Sequence, residues 1–186
     1  ARRPGLHIDM ADAVNVLVHV DGTGSGLDGL ESVTISGEAV DASHGAVWHI
    51  FNESDSLALE DLLPRILREV GEFEGSSALL DSTRPLLDSS IYLDDNLLLH
   101  LHQLAGIAPY VHLQRLGDAV IVPAGCAHQV LNLRSCIKVA ADFVSPEHVS
   151  SCVRITEELR QLPQCHHRHA DVRVPSRPPS RPPSLP

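Results

Sequence analysis

The sequence predicts a mainly β domain with flanking helices, and three stretches carry that reading. From Gly5 a strand signal runs through Val14, Val16, Val18 and Val20, with β-branched residues at every second place. Asp118 to Val122 reads as a half-buried strand that Pro123-Ala124-Gly125 stops, because Pro has no ladder donor and Gly tolerates a positive φ; His128 opens the next strand. Ser54 to Val70 places Leu57, Leu59, Leu62, Leu63, Ile66 and Leu67 along one side of a helix.

The remaining elements fall between these. Asp21 to Ser43 is rich in Gly, Ser and acids and reads as a long connection with one short strand around Val33-Thr34-Ile35. Ala46 to Phe51 is a strand. Pro64 lies inside the following helix, where it should kink it or cost about 3 kcal/mol. Gly71 to Ser90 reads as loop, Asp94 or Asp95 caps a helix through Leu104, and Pro109 to Gln114 resumes the sheet. Near the end, Ser145 is expected to cap a helix to about Leu162, with Pro146 first, Glu147 at its positive end, and Val144 and Val149 forming a hydrophobic staple.

Composition sets limits. A chain of 186 residues fits one domain, its 43% hydrophobic content suffices for a core, and with only 3% aromatics that core must rest on Leu, Val and Ile. The net charge of −10 and the lack of a basic patch argue against direct nucleic-acid binding. An acidic surface suits a basic peptide, although solubility alone explains it equally well. No run approaches the roughly 20 apolar residues of a membrane span, and no signal peptide is visible. Cys126, Cys136, Cys152 and Cys165 are widely spaced, with no C-x-x-C pair, so they read as reduced thiols rather than a zinc site.

Residues two apart in a strand face the same side, so His7 and Asp9 point into one space, which Asn15 shares if no bulge intervenes. His128, held between a Pro/Gly turn and a β-branched run, has little rotamer freedom. That suits a metal ligand or a catalytic base, and it also describes an ordinary strand histidine. His-x-Asp with one distant His has the composition of the 2-His-1-carboxylate facial set, which leaves coordination positions open and suits non-haem Fe(II).

Longer stretches carry a family resemblance. His7-Ile8-Asp9-Met10-Ala11-Asp12-Ala13-Val14-Asn15-Val16 resembles the H-x-D-(M/V)-S-D-A-V-N-V segment of JmjC-domain histone demethylases of the hairless and JMJD1-like subfamily. Ala46-Val47-Trp48-His49-Ile50-Phe51 is similar to its A-L-W-(H/D)-I-(F/Y). So are the runs Gln114 to Val120, Val122 to Val130, Asn132-Leu133, Lys138 to Ala140, Asp142 to Glu147 and Leu159-Arg160-Gln161-Leu162-Pro163; the Gly125-Cys126-Ala127-His128-Gln129-Val130 form and the Arg160-to-Pro163 ending are most like plant and green-algal members.

The resemblance implies a cupin-type double-stranded β-helix, or jelly roll, over residues 1–163. It makes His7, Asp9 and His128 the catalytic iron ligands and places Asn15 in the 2-oxoglutarate pocket. Two positions depart from the pattern. Pro4 replaces a donor threonine, and Asp21-Gly22-Thr23-Gly24 stands where many members have a lysine for the distal carboxylate of 2-oxoglutarate. Lys138 is the candidate replacement, the alternative being a solvated strand-edge lysine. The implied activity is oxidative decarboxylation of 2-oxoglutarate coupled to hydroxylation of a lysine N-methyl group, which leaves as formaldehyde. The implied substrate is mono- or dimethylated lysine 9 of the histone H3 tail, with chromatin proteins as partners in the nucleus. A catalytically inactive chromatin scaffold and a protein hydroxylase of the same oxygenase class are the alternatives.

Trp48 has two readings, contact with a methylammonium group or simple core, and core is favoured. The family's opening strands precede His7 and are expected to be missing, as in a fragment, which leaves sheet edges unpaired. Beyond Pro163 the resemblance ends. Residues 164–186, with Cys165-His166-His167-Arg168-His169 and repeated Ser-Arg-Pro-Pro, read as a polyproline or disordered tail.

Overall fold

Two antiparallel three-stranded sheets, with a layer of helices beside them, position the site. In chain order the elements are β1 (Asp12–Val20), β2 (Thr34–Ile35), β3 (Glu38–Ala39), β4 (His44–Ile50), α1 (Glu53–Val70), α2 (Pro85–Asp88), α3 (Asp95–Ala105), β5 (Tyr110–Arg115), β6 (Ala119–Val122), β7 (His128–Asn132), β8 (Cys136–Phe143), a 3₁₀ turn (Pro146–His148) and α4 (Val149–Gln161). The computed structural model describes residues 5–21, 34–35, 37–70, 84–88 and 91–162. Pro4, Gly22-Thr23-Gly24, Cys165 and the whole 164–186 segment lie outside the described residues. Among the described residues no helix is long and apolar enough to cross a membrane.

One sheet has the order β6-β1-β8 and the other β5-β4-β7. Their inner faces share an apolar cluster of Ala46, Trp48 and Val130 from one sheet with Val120 and Val122 from the other. Side chains alternate along each strand, so Val47 on β4 points the other way and packs with Val40 and Leu113. The sheets approach closely at Gly45, where an added Cβ would lie 2.7 Å from Leu17 Cδ2. The resulting pair of facing sheets with flanking helices is the cupin-type arrangement expected from the sequence.

The main core lies between the helices and the chain before β1. Leu6, Ile8 and Phe51 join Leu59, Leu63 and Ile66 of α1, Leu86 and Leu87 of α2, Leu97 and Leu101 of α3, and Ile155 and Leu159 of α4. Removing any of these Leu side chains should cost about 2–5 kcal/mol. Asp94 caps α3 by accepting from Leu97 N at 2.9 Å, and Gly106 ends it in a left-handed conformation.

Several expectations need correction. The opening stretch is not one continuous strand: His7 makes an isolated bridge to His128, and the ladder of β1 begins only at Asp12. Leu57 is exposed rather than part of the apolar side of α1, and α1 continues through Pro64. Residues 85–88, expected as loop, form the short helix α2, held because Leu86 and Leu87 are buried in the core. Ser145 does not cap the last helix; its N–H and hydroxyl turn back to Asp12 instead. Val144 and Val149 are both largely exposed, so no buried staple forms there.

Candidate metal centre

His7 and His128 are brought together by backbone pairing across more than a hundred residues. His7 N donates to His128 O at 3.0 Å and His128 N donates to His7 O at 2.9 Å, placing the ring centroids 4.3 Å apart. Each ring is anchored from behind. His7 Nδ1 lies 2.7 Å from Gly5 O and His128 Nδ1 lies 3.1 Å from Cys126 O. A carbonyl only accepts, so both Nδ1 atoms carry the proton, and each Nε2 is left with its lone pair outward.

Asp9 completes the set. His7 Nε2 is 3.8 Å from Asp9 Oδ1, His128 Nε2 is 3.5 Å from Asp9 Oδ2, and one ligand atom from each residue lies within 4.8 Å of the others. Three donors about 2.0–2.2 Å from one first-row metal ion, at right angles, sit roughly 3 Å apart, so the set closes on an ion with small side-chain adjustments. Two neutral imidazoles and one carboxylate on one face are the donors that non-haem Fe(II) takes. Of the described residues, these three form the one group of His, Cys, Asp or Glu that meets this spacing.

The three residues sit on the wall of a pocket of about 360 Å³, open to solvent at one side and lined also by Ala13, Asn15, Trp48, Val122, Asn132, Lys138 and Asp142. Asn15 and Lys138 therefore face the same space as His7, Asp9 and His128. The register explains this: β1 pairs with β8 through Asn15↔Ala140 and Leu17↔Lys138, which puts Asn15 and Lys138 on the inner face of one sheet. Asn15 Oδ1 is buried and has no hydrogen-bond partner among the described residues. Lys138 Nζ donates to Asn132 Oδ1 at 2.7 Å and stands 5.3 Å from the centroid of the Trp48 ring. Burial lowers the Lys138 pKa below the usual lysine value.

Trp48 is core and pocket wall at once. It is 4% exposed, stacks on His128 with centroids 6.2 Å apart, and donates from Nε1 to Gln114 Oε1 at 2.8 Å. Gln114, fully buried, donates in turn to Asn15 O and Asp118 O. It thereby ties the floor of the pocket to both sheets. With Lys138 over its face, Trp48 is not free to serve as a cage for a substrate cation.

Asn132, Asp142 and Gln114 lie in stretches that resemble the family, but sequence reasoning gave them no role in the site. Asn132 lies four residues after His128 and Asp142 four after Lys138, so the period of two along those strands would have found them. Nothing in the sequence singles out Gln114, whose role comes from the sheet packing.

A family model described as JmjC domain, hydroxylase matches residues 40–143, which include His128, Asn132, Lys138 and Asp142 but not His7, Asp9 or Asn15. Similarity to curated proteins extends over more of the chain. The chain is 38% identical over 181 residues to lysine-specific demethylase 3 of Drosophila melanogaster, an alignment covering 89% of this chain and 21% of that protein. It is 38% identical over 179 residues to human lysine-specific demethylase 3A, covering 89% of this chain and 13% of the relative. Against lysine-specific demethylase JMJ29 of Arabidopsis thaliana it is 34% identical over 201 residues, covering 89% and 23% respectively. The chain thus spans less than a quarter of the length of these curated relatives. With the two facing sheets and a family match across more than half of its residues, the chain belongs to the JmjC-domain hydroxylase family, and its fold is the JmjC cupin.

Proposed function

We propose that this chain forms the catalytic segment of an Fe(II)- and 2-oxoglutarate-dependent dioxygenase that demethylates mono- and dimethylated lysine, with lysine 9 of histone H3 as the site. The observation that carries the reading is the facial set itself: His7, Asp9 and His128 with both imidazoles oriented by carbonyls, on the wall of a pocket that also holds a lysine. The names of the relatives support lysine demethylation.

His7, Asp9 and His128 would hold the iron, which when bound supplies the activation of O₂ coupled to decarboxylation of the co-substrate. Lys138 places a cation on the inner face of the sheet, where it pairs with a co-substrate carboxylate. The Asn15 side chain, flipped so that Nδ2 points inward, gives that carboxylate a second donor. Trp48, Val122 and Val130 form the apolar part of the wall and keep water from the reacting centre. A histone substrate places the work at chromatin in the nucleus, and the chain's net charge of −10 favours a basic tail.

The test is anaerobic calorimetry of 2-oxoglutarate binding to the Mn(II)-loaded chain, with His128→Ala as control, followed by mass spectrometry of a dimethylated H3 peptide with Fe(II), 2-oxoglutarate and O₂. Binding lost in the variant, with formaldehyde released from the peptide, is the expected result. Turnover of 2-oxoglutarate without demethylation would favour the hydroxylase, and metal binding without 2-oxoglutarate binding the inactive scaffold.

A further inference from the structure

We infer that Asp12, which is not a metal ligand, is a positioning residue of the metal centre: its carboxylate fastens the His7–Asp9 segment to the turn that presents His128. This rests on the metal-site reading given above. Asp12 is 1% exposed, yet both its oxygens are fully used. Oδ1 accepts from Ala124 N at 2.9 Å and lies 2.6 Å from His148 Nδ1; Oδ2 accepts from Ser145 N at 2.8 Å and Ser145 Oγ at 2.7 Å. Two of the connected segments carry metal ligands. Asp12 stands three residues after Asp9, and Ala124 stands four before His128 in the Pro123-Ala124-Gly125 turn.

The chain between these points explains why a clamp is needed. Residues 8–11 belong to no strand; Ile8 is anchored in the helical core and donates from its N–H to Leu86 O at 3.4 Å, with Met10 packed against that core, and the two ends of the segment are fixed separately. At one end His7 is paired with His128 through the backbone. At the other end Asp12 opens β1 opposite Phe143, and its side chain reaches across to the turn. The backbone bridge sets the distance between the two imidazoles, while the Asp12 carboxylate sets where the Asp9 arm leaves that bridge. Ser145 and His148 serve to hold the carboxylate at the β8–α4 corner. Groups that orient metal ligands in this way typically change metal affinity when removed, without being ligands themselves.

The test compares Mn(II) binding by calorimetry for the full chain and for Asp12→Ala and Ser145→Ala, with far-UV circular dichroism and Tm measured on the same samples. Asp12→Ala should bind Mn(II) about 10- to 100-fold more weakly while keeping the wild-type spectrum. Ser145→Ala should lower Tm yet stay within about threefold of wild-type affinity, because the Ala124 arm survives. The visible spectrum of Co(II) bound to Asp12→Ala should also shift, reporting a changed ligand arrangement. If Asp12→Ala does not fold, Asp12→Asn takes its place; its amide keeps one acceptor of two, and a smaller loss, of about 3- to 10-fold, is then expected. Folded variants at Asp12 with wild-type Mn(II) affinity would overturn the inference, as would affinity losses that follow Tm equally in Asp12 and Ser145 variants. A wild-type chain that binds no divalent ion would instead count against the metal-site reading itself.

Discussion

The Lys138 ammonium stands over the Trp48 ring, 5.3 Å from its centroid, and donates to Asn132 Oδ1 at 2.7 Å. Lysine at a strand edge is usually solvated, so a lysine turned inward against the face of the one tryptophan has been placed there by packing. Both contacts keep the charge in the pocket lined by His7, Asp9 and His128 while leaving donor capacity, because an ammonium has three protons. Lys138→Ala is therefore expected to weaken 2-oxoglutarate binding to the Mn(II)-loaded chain by about 10- to 100-fold, as loss of a charged hydrogen bond implies, with Mn(II) affinity unchanged. Calorimetry with both titrants checks this. Equal losses for metal and co-substrate would mean that the variant has disturbed the whole pocket.

Glu60 on α1 gives a pH dependence that does not involve His7, Asp9 or His128. Burial pushes its pKa up from 4.5 to about 7; Arg84, with Nε 3.7 Å from Oε2, opposes this, while Glu158 and Asp88 add to it. The folded state thus holds this proton more tightly than the unfolded chain. Stability contributed by the protonated form is complete below about pH 4.5 and lost as pH rises through 7. Glu60→Gln should match wild type in urea denaturation at pH 5 and be more stable at pH 8 by about 1–2 kcal/mol, discounted for the solvent that reaches the group. A variant less stable at pH 8 would show that the Arg84 pairing outweighs the burial of charge.

Much of the fold was legible because its signals are local. The period-two run through Val20, the Pro123-to-Gly125 turn and the cap at Asp94 or Asp95 each depend on a few neighbouring residues; the strand holds from Asp12 onward, the turn is where the pattern placed it, and Asp94 is the cap. His7, Asp9 and His128 were grouped by their order and family-like surroundings, and the fold brings one ligand atom of each within 4.8 Å of the others. The break in the strand between His7 and Asp12 was not legible, since Ile8 is drawn into the helical core rather than into the sheet. Ser145 was misread for a similar reason. Ser-Pro-Glu is a local capping pattern, but a buried carboxylate 133 residues away takes both of its donors. Gln114 and Gln129 carry no local signal at all: their partners are set by which strands become neighbours.

Gly125 tests how firmly the turn before His128 is built. Its φ of +84° lies in the left-handed region, and an added Cβ would sit 2.9 Å from Glu53 Oε1. Glu53 cannot easily give way, since that oxygen accepts from Ser151 Oγ at 2.6 Å and Arg154 Nη2 at 2.9 Å. Strain in the backbone and displacement of this carboxylate add, so Gly125→Ala should destabilise the chain by about 1–3 kcal/mol in urea denaturation. Because the turn leads into His128, Mn(II) affinity should fall with it. An alanine variant as stable as wild type would mean that the turn relaxes into another conformation.

Gln129, next to His128 on β7, is a side chain that joins the β5-β4-β7 sheet to the helical layer. It is fully buried, accepts from Leu93 N at 2.8 Å and donates to Leu93 O at 2.7 Å, with Nε2 also 3.4 Å from His49 Nδ1. Leu93 lies just before the Asp94 cap, outside any strand, so the glutamine stands in for a strand partner. Gln129→Leu fills a similar volume but leaves a buried N–H and a buried carbonyl unpaired. The expected cost is about 2–4 kcal/mol, larger than the loss of an exposed hydrogen bond, because both groups lose their partner without regaining water. His49, whose pKa burial already lowers, stays neutral and brings no compensating charge. Chemical denaturation gives the magnitude, and hydrogen exchange at the Leu93 amide identifies the cause: protection there should fall further than at neighbouring amides. A loss spread evenly across α3 and β7 would point to misfit of the leucine instead.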